Sequence, residues 1–187
     1  MILKSFLKIL MECSWLITLI CTARFLYSFY KKENRINIFV LLLVASVMLY
    51  GNFTSPIRGG YDNNHDFISV EIDFHNNNEL FSYKEISPVF LKDIIDRTSN
   101  YSLKAILDTN RIIPLFSMLL FFATVRYAGA GSIGSLTGTA VLFLNFHTFL
   151  NASAFSTTSA AAFIFISSLA AFVSFLRKNN NEYWNLV

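Results

Sequence analysis

Long uncharged apolar runs constrain this chain most: Ile36 to Gly51, Ile112 to Val125, and the whole of Ala128 to Leu176 contain no Lys, Arg, Asp or Glu. A helix of roughly 18 or more apolar residues spans about 30 Å of hydrocarbon, and lipid satisfies no exposed backbone group. The expectation is an all-α membrane protein with about five transmembrane helices. Composition agrees, because 54% hydrophobic and 16% aromatic residues against 14% charged ones is too apolar for an ordinary soluble domain of 187 residues.

The expected spans are Ile9 to Tyr30, Ile36 to about Asn52, Ile112 to Tyr127, Ile133 to Leu150 and Ala154 to Leu176. They divide the chain into residues 1–52 with two helices, a polar stretch 53–111, three further helices in 112–178, and a tail 179–187. Short cytoplasmic loops carry an excess of Lys and Arg. With five spans, Lys31, Lys32 and Arg35, then Arg126, then Arg177 and Lys178 all fall on one side, the cytoplasmic side. The stretch 53–111 is then extracytoplasmic. Lys4 and Lys8 oppose this orientation unless the first segment lies in the interface. No small-x-small cleavage site follows the first apolar run, so it is read as retained.

Within the loop, Ser87-Pro88 reads as a helix start, and Phe90, Leu91, Ile94 and Ile95 repeat at helical spacing opposite Lys92, Asp93, Asp96 and Arg97. A short helix of this kind suits a membrane surface. A second, from Ser102 to Asp108, leads into the third span. The fourth span carries Gly131, Gly134 and Gly138, a small-residue pattern that lets helices approach closely, expected within the bundle or against a partner membrane protein. In the fifth, Ser167 and Ser168 have hydroxyls able to bond to their own helix or to a neighbour.

Candidate chemistry concentrates in Gly59 to Asp73, which places Asp62, His65, Asp66, Glu71 and Asp73 just beyond the second span. A carboxylate there suits a general base acting on an acceptor hydroxyl, or helps hold a divalent cation against a phosphate. A solvated acidic loop is the plain alternative. No dedicated metal site is expected, since His65 and His75 lack clear spacing and no cysteine assists. Cys13 and Cys21 stand about 12 Å apart along a helix and do not bridge. His147 and Asn145 interrupt the fourth span near its outer end, where polar groups line a cavity or bond between helices. The net charge of +3 is small and forms no basic stripe, which argues against nucleic acid. Asn52-Phe53-Thr54 matches a glycosylation sequon, a pattern that arises by chance in an Asn-rich chain.

This order of parts resembles the start of the multi-pass glycosyltransferases of the GT-C fold, which use sugars carried on polyprenyl phosphates. In those enzymes an early span is followed by an extracytoplasmic loop with a carboxylate motif and surface helices. Here His65-Asp66-Phe67-Ile68-Ser69-Val70-Glu71-Ile72 stands in the motif's place, and Asn110-Arg111-Ile112-Ile113-Pro114 opens the following three spans. The family motif usually has adjacent acids, whereas here His65 precedes Asp66 and Asp62 lies four residues earlier. The resemblance implies Asp66 or Asp62 as the base. It implies Arg58, Lys84 or Arg111 pairing with the donor phosphate, with His65, Glu71 and His147 also lining the substrate. The lipid bilayer and a lipid-linked sugar donor would be the partners, and the inner membrane of a bacterium the location. The chain would be such an enzyme or the N-terminal part of a longer one. The competing expectations are a non-catalytic membrane protein packed on a partner through Gly134 and Gly138, and, more weakly, a transporter fragment.

Overall fold

The computed structural model describes residues 2–55, 103–145 and 158–176. Every regular element among them is an α-helix: α1 (Ile2–Lys32), α2 (Arg35–Thr54), α3 (Leu103–Tyr127), α4 (Ser132–Phe143) and α5 (Thr158–Leu176). The all-helical expectation therefore holds for the described residues. Among them, α2 is the one helix long and apolar enough by itself to cross a membrane.

Helix α2 shows why. Asn37, Leu41, Ala45, Met48 and Asn52 recur at helical spacing and are buried against the other helices. The opposite face exposes Ile36, Phe39, Leu43, Val47 and Tyr50, with Tyr50 73% exposed. A surface helix in water turns a polar face outward; one that is apolar all round suits hydrocarbon. Asn34 starts α2, its side-chain oxygen accepting from the Ile36 N–H at 3.0 Å.

The other boundaries differ from the expected spans in instructive ways. Helix α1 begins at Ile2 and takes in Lys4 and Lys8. The expected short helix at Ser102 to Asp108 and the span from Ile112 are one continuous helix, α3, with Pro114 inside it. Proline removes one N–H from the ladder but adopts a helical φ, so it weakens a single turn without ending the helix. In that turn the Arg111 carbonyl accepts a bond from Asn52 Nδ2 at 3.0 Å. Helix α4 stops at Phe143, where the Leu144 N–H closes on the Ala140 carbonyl at 2.8 Å. Its 12 residues cover about 18 Å, short of the expected Ile133 to Leu150. The surface helix expected at Pro88 to Arg97 and the tail 179–187 lie outside the described residues.

Helix α3 is the centre of the bundle and touches each of the other four. Met118, Leu120, Phe122 and Ala123 along it are fully buried. Aromatic rings join it to α1: Phe25 meets Tyr127 edge-on at 6.0 Å, and Phe29 meets Phe122 at 6.2 Å and 80°. The Tyr30 hydroxyl donates to the Leu119 carbonyl at 2.9 Å, so the polar tip of this packed ring is satisfied.

The hydroxyls of the apolar helices turn inward on their own backbones. Ser117, Thr124, Ser167, Ser168 and Ser174 each donate to the carbonyl four residues earlier. The glycines behave differently from expectation. A Cβ added at Gly131, Gly134 or Gly138 would meet nothing within 4 Å, so these glycines do not mediate close packing among the described helices. The inner face of α4 is instead Ser135, Thr139 and Phe143. Ser135 and Thr139 are small, and both bond back to their own helix, at 3.0 Å and 2.7 Å.

Candidate functional site

Two polar clusters sit at opposite ends of the α2–α3 pair. The first joins the α1–α2 turn to the α3–α4 turn. Helix α3 ends in a Schellman motif: Gly129 adopts φ 106°, its N–H reaches the Arg126 carbonyl, and the Ala130 N–H reaches that of Val125. The left-handed residue folds the chain back so that Arg126 Nη1 donates to the Ala130 carbonyl at 2.7 Å. Arg126 Nε and Nη2 then meet the two oxygens of Glu33 side-on, at 3.3 Å and 3.4 Å. The same carboxylate accepts from Asn37 Nδ2 at 2.7 Å and from the Asn34 N–H at 3.1 Å. Asn37 Nδ2 also donates to Ser132 Oγ at 3.1 Å, which adds the start of α4.

The Glu33 side chain is only 6% exposed. Burial acts to raise its pKa, but the bonds from Asn37, Arg126 and the Asn34 backbone, with the charge of Arg126, outweigh it and hold the carboxyl below its ordinary value. Every donor around this carboxylate is engaged, and the cluster is a clasp. It also fixes topology. Glu33 and Arg126 share an ion pair, so the cation-rich segments Lys31 to Arg35 and Arg126 lie at one end of the bundle, as the charge pattern requires.

The second cluster lies where the polar stretch departs and returns. Asn52, fully buried near the end of α2, donates to the backbone of Arg111, so the two flanks of residues 56–102 are held side by side. Arg111 Nη1 contacts Asp108 Oδ1 at 3.4 Å, one helical turn earlier, and the guanidinium carbon lies 5.3 Å from the centre of the Phe53 ring. Among the described residues, two buried polar atoms here have no hydrogen-bond partner: Arg111 Nε and Asn52 Oδ1. Native interiors leave few such atoms, and each calls for a cause.

Of the candidate site residues, Arg111 alone belongs to the described part of the chain. Asp62, Asp66, Arg58, His65, Glu71, Lys84 and His147 lie outside it, as do the acids considered for a divalent cation. Asn145 falls beyond the end of α4, and its amide donates to the Leu142 carbonyl. The sequon at Asn52 offers no acceptor, because that amide is buried and committed to Arg111. Sequence reasoning passed over Asn37 and Asn52 as functional groups. The signal was present: both interrupt an apolar span, and a polar side chain in such a span faces the bundle. It also passed over Glu33, an acid inside a run of cations, and Asp108.

No known protein family, curated protein or solved structure matches the chain.

Proposed function

We propose that the chain is a multi-pass membrane glycosyltransferase, or the N-terminal part of one, that transfers a sugar from a polyprenyl-phosphate donor to an acceptor outside the cytoplasm. One observation carries this reading: the Asn52–Arg111 clasp holds the start and return of the polar stretch together at the end of the bundle opposite the cations. By the charge rule the cation end is cytoplasmic. The acidic segment Asp62 to Asp73 then begins on the outer face, within ten residues of Asn52, where a lipid-borne sugar and a hydroxyl acceptor meet. Asp66 or Asp62 is the general base, and Arg111 faces the donor phosphate.

This reading takes α1, α2, α3 and α5 as spans and α4, about 18 Å long, as a helix that enters the bilayer without crossing it by its own length. Helices α1, α3 and α5 run about 46, 37 and 28 Å, enough to cross a hydrocarbon core of about 30 Å with modest tilt or mismatch. The test is replacement of Asp62 and Asp66 by Asn, singly and together, in cells whose surface glycan is then measured. Loss of a glycan species with stably inserted protein supports the reading; an unchanged glycan in the double variant refutes it.

A second reading has an observation of its own. The open glycine face of α4, with Ile133 82% and Val141 70% exposed, suits a non-catalytic protein that packs against a partner membrane helix. It requires neither acid nor Arg111, so the same double variant separates the two.

A further inference from the structure

One side of α1 changes character along its length. Ile17, Ile20, Arg24, Tyr27 and Lys31 follow one another at intervals of three and four residues, which lines them up as a single stripe on the helix. All five are exposed, Tyr27 to 70%. The opposite side carries Thr22, Phe25 and Phe29, which are buried against the bundle. The stripe therefore faces away from the other described helices. It is apolar in the middle of α1 and cationic where the helix ends.

Its cations are unanswered by the protein. Glu33, the acid beside them, is committed to Arg126, to Asn37 and to the Asn34 N–H. Among the described residues, Arg24, Lys31 and the exposed Arg35 across the turn form no ion pair. Tyr27 stands three residues after Arg24 and four before Lys31, between two cations about 10 Å apart along the helix axis.

The chemistry of the stripe selects its occupant. A guanidinium fork, an ammonium and a phenol hydroxyl all donate to phosphate oxygens. A free anion would use these groups and leave Ile17 and Ile20 uncovered. An anionic phospholipid uses the whole stripe, its phosphate among the cations and its acyl chains along the isoleucines. Basic residues at the end of an apolar helix draw acidic lipids in this way.

We propose that Arg24, Tyr27 and Lys31, with Arg35 across the turn, form a binding surface for the headgroup of an anionic phospholipid of the cytoplasmic leaflet. The surface uses no residue of the acidic segment and no sugar donor, so it stands whether or not the chain is a transferase.

The experiment is native mass spectrometry of the full chain in neutral detergent, which counts both bound lipids and copies of the chain. The probes are phosphatidylglycerol and phosphatidylcholine with the same acyl chains, each with and without equimolar inorganic phosphate. The monomer is expected to bind phosphatidylglycerol more tightly than phosphatidylcholine, with phosphate displacing neither. Arg24→Gln and Lys31→Gln, at exposed positions that folding tolerates, are each expected to weaken phosphatidylglycerol about fivefold and to leave phosphatidylcholine unchanged. Lys104→Gln removes the same charge at the other end of the bundle, near the start of α3, and is expected to change neither. Equal binding of the two lipids would overturn the surface, as would an equal loss in Lys104→Gln, the mark of net charge alone. Displacement by phosphate would assign the cations to a soluble anion, and a dimer without lipid preference would assign the stripe to a second copy of the chain; either result overturns the proposal.

Discussion

The two ends of the bundle are built from the same side chains to opposite effect. Each has an arginine of α3, an acid and an asparagine of α2. At the cation end, Arg126 spends Nε, Nη1 and Nη2 on Glu33 and Ala130, and Glu33 is further bonded by Asn37 and the Asn34 backbone. At the loop end, Arg111 has one long contact with Asp108, and an N–H and an amide oxygen are left over. A polar network in a low-dielectric setting stabilises when every group is answered and costs when one is not. The closed end is thus a fastening, whereas the open end, among the described residues, leaves Arg111 Nε and Asn52 Oδ1 unanswered.

That contrast breaks most visibly at Arg126. Replacing it by Ala leaves the nearly buried Glu33 without its cation, and the expected cost is about 3 kcal/mol in a denaturant titration in detergent micelles. The exchange Glu33→Arg with Arg126→Glu is expected to recover part of it. Asn52→Leu is the matched change at the other end. It loses the bond to the Arg111 carbonyl but also removes an unanswered oxygen, so the expected cost is only about 1 kcal/mol. Equal losses at the two ends would contradict the distinction.

Acid should sharpen it. The folded pKa of Glu33 lies below its ordinary value of 4.5, so its contribution is complete above that value and is lost as the pH falls through the lower, folded one. A stability profile should therefore decline below pH 4.5 in the native chain and lose that component in Glu33→Gln. The smallest effect belongs to α4. Gly134→Ala fills open space and removes a flexible residue from a helix, with an expected gain of about 0.5–1 kcal/mol. A loss instead would mean that another helix lies on that face.

Much of the architecture was legible in the sequence because one solvent decides it. Runs without charge and the positions of Lys31, Lys32, Arg35 and Arg126 announced the helices and the shared end of the cations. The break expected between Asp108 and Ile112 did not occur, since proline at position 114 removes one N–H from the ladder but keeps a helical φ. The glycines were misread for a related reason. A small-residue pattern says that helices can approach there but not which face meets a neighbour, and Ser135 and Thr139 took that role. At the site, Arg111 stands out in the sequence from its place before the third span. Asn52, Asp108 and Phe53 do not, because their use depends on which residues of α2 and α3 end up level, and spacing along one helix does not reveal that.

In the proposed function the two ends of the bundle face opposite sides of the membrane, with the acidic segment outside. The direct measurement is labelling by a membrane-impermeant maleimide in intact cells, with Cys13 and Cys21 replaced by Ser and a single cysteine placed at Ser69 or at Lys31. Labelling of Ser69→Cys in intact cells, with Lys31→Cys labelled only after permeabilisation, is the predicted result. The reverse pattern, or both positions labelled from the same side, would contradict the account.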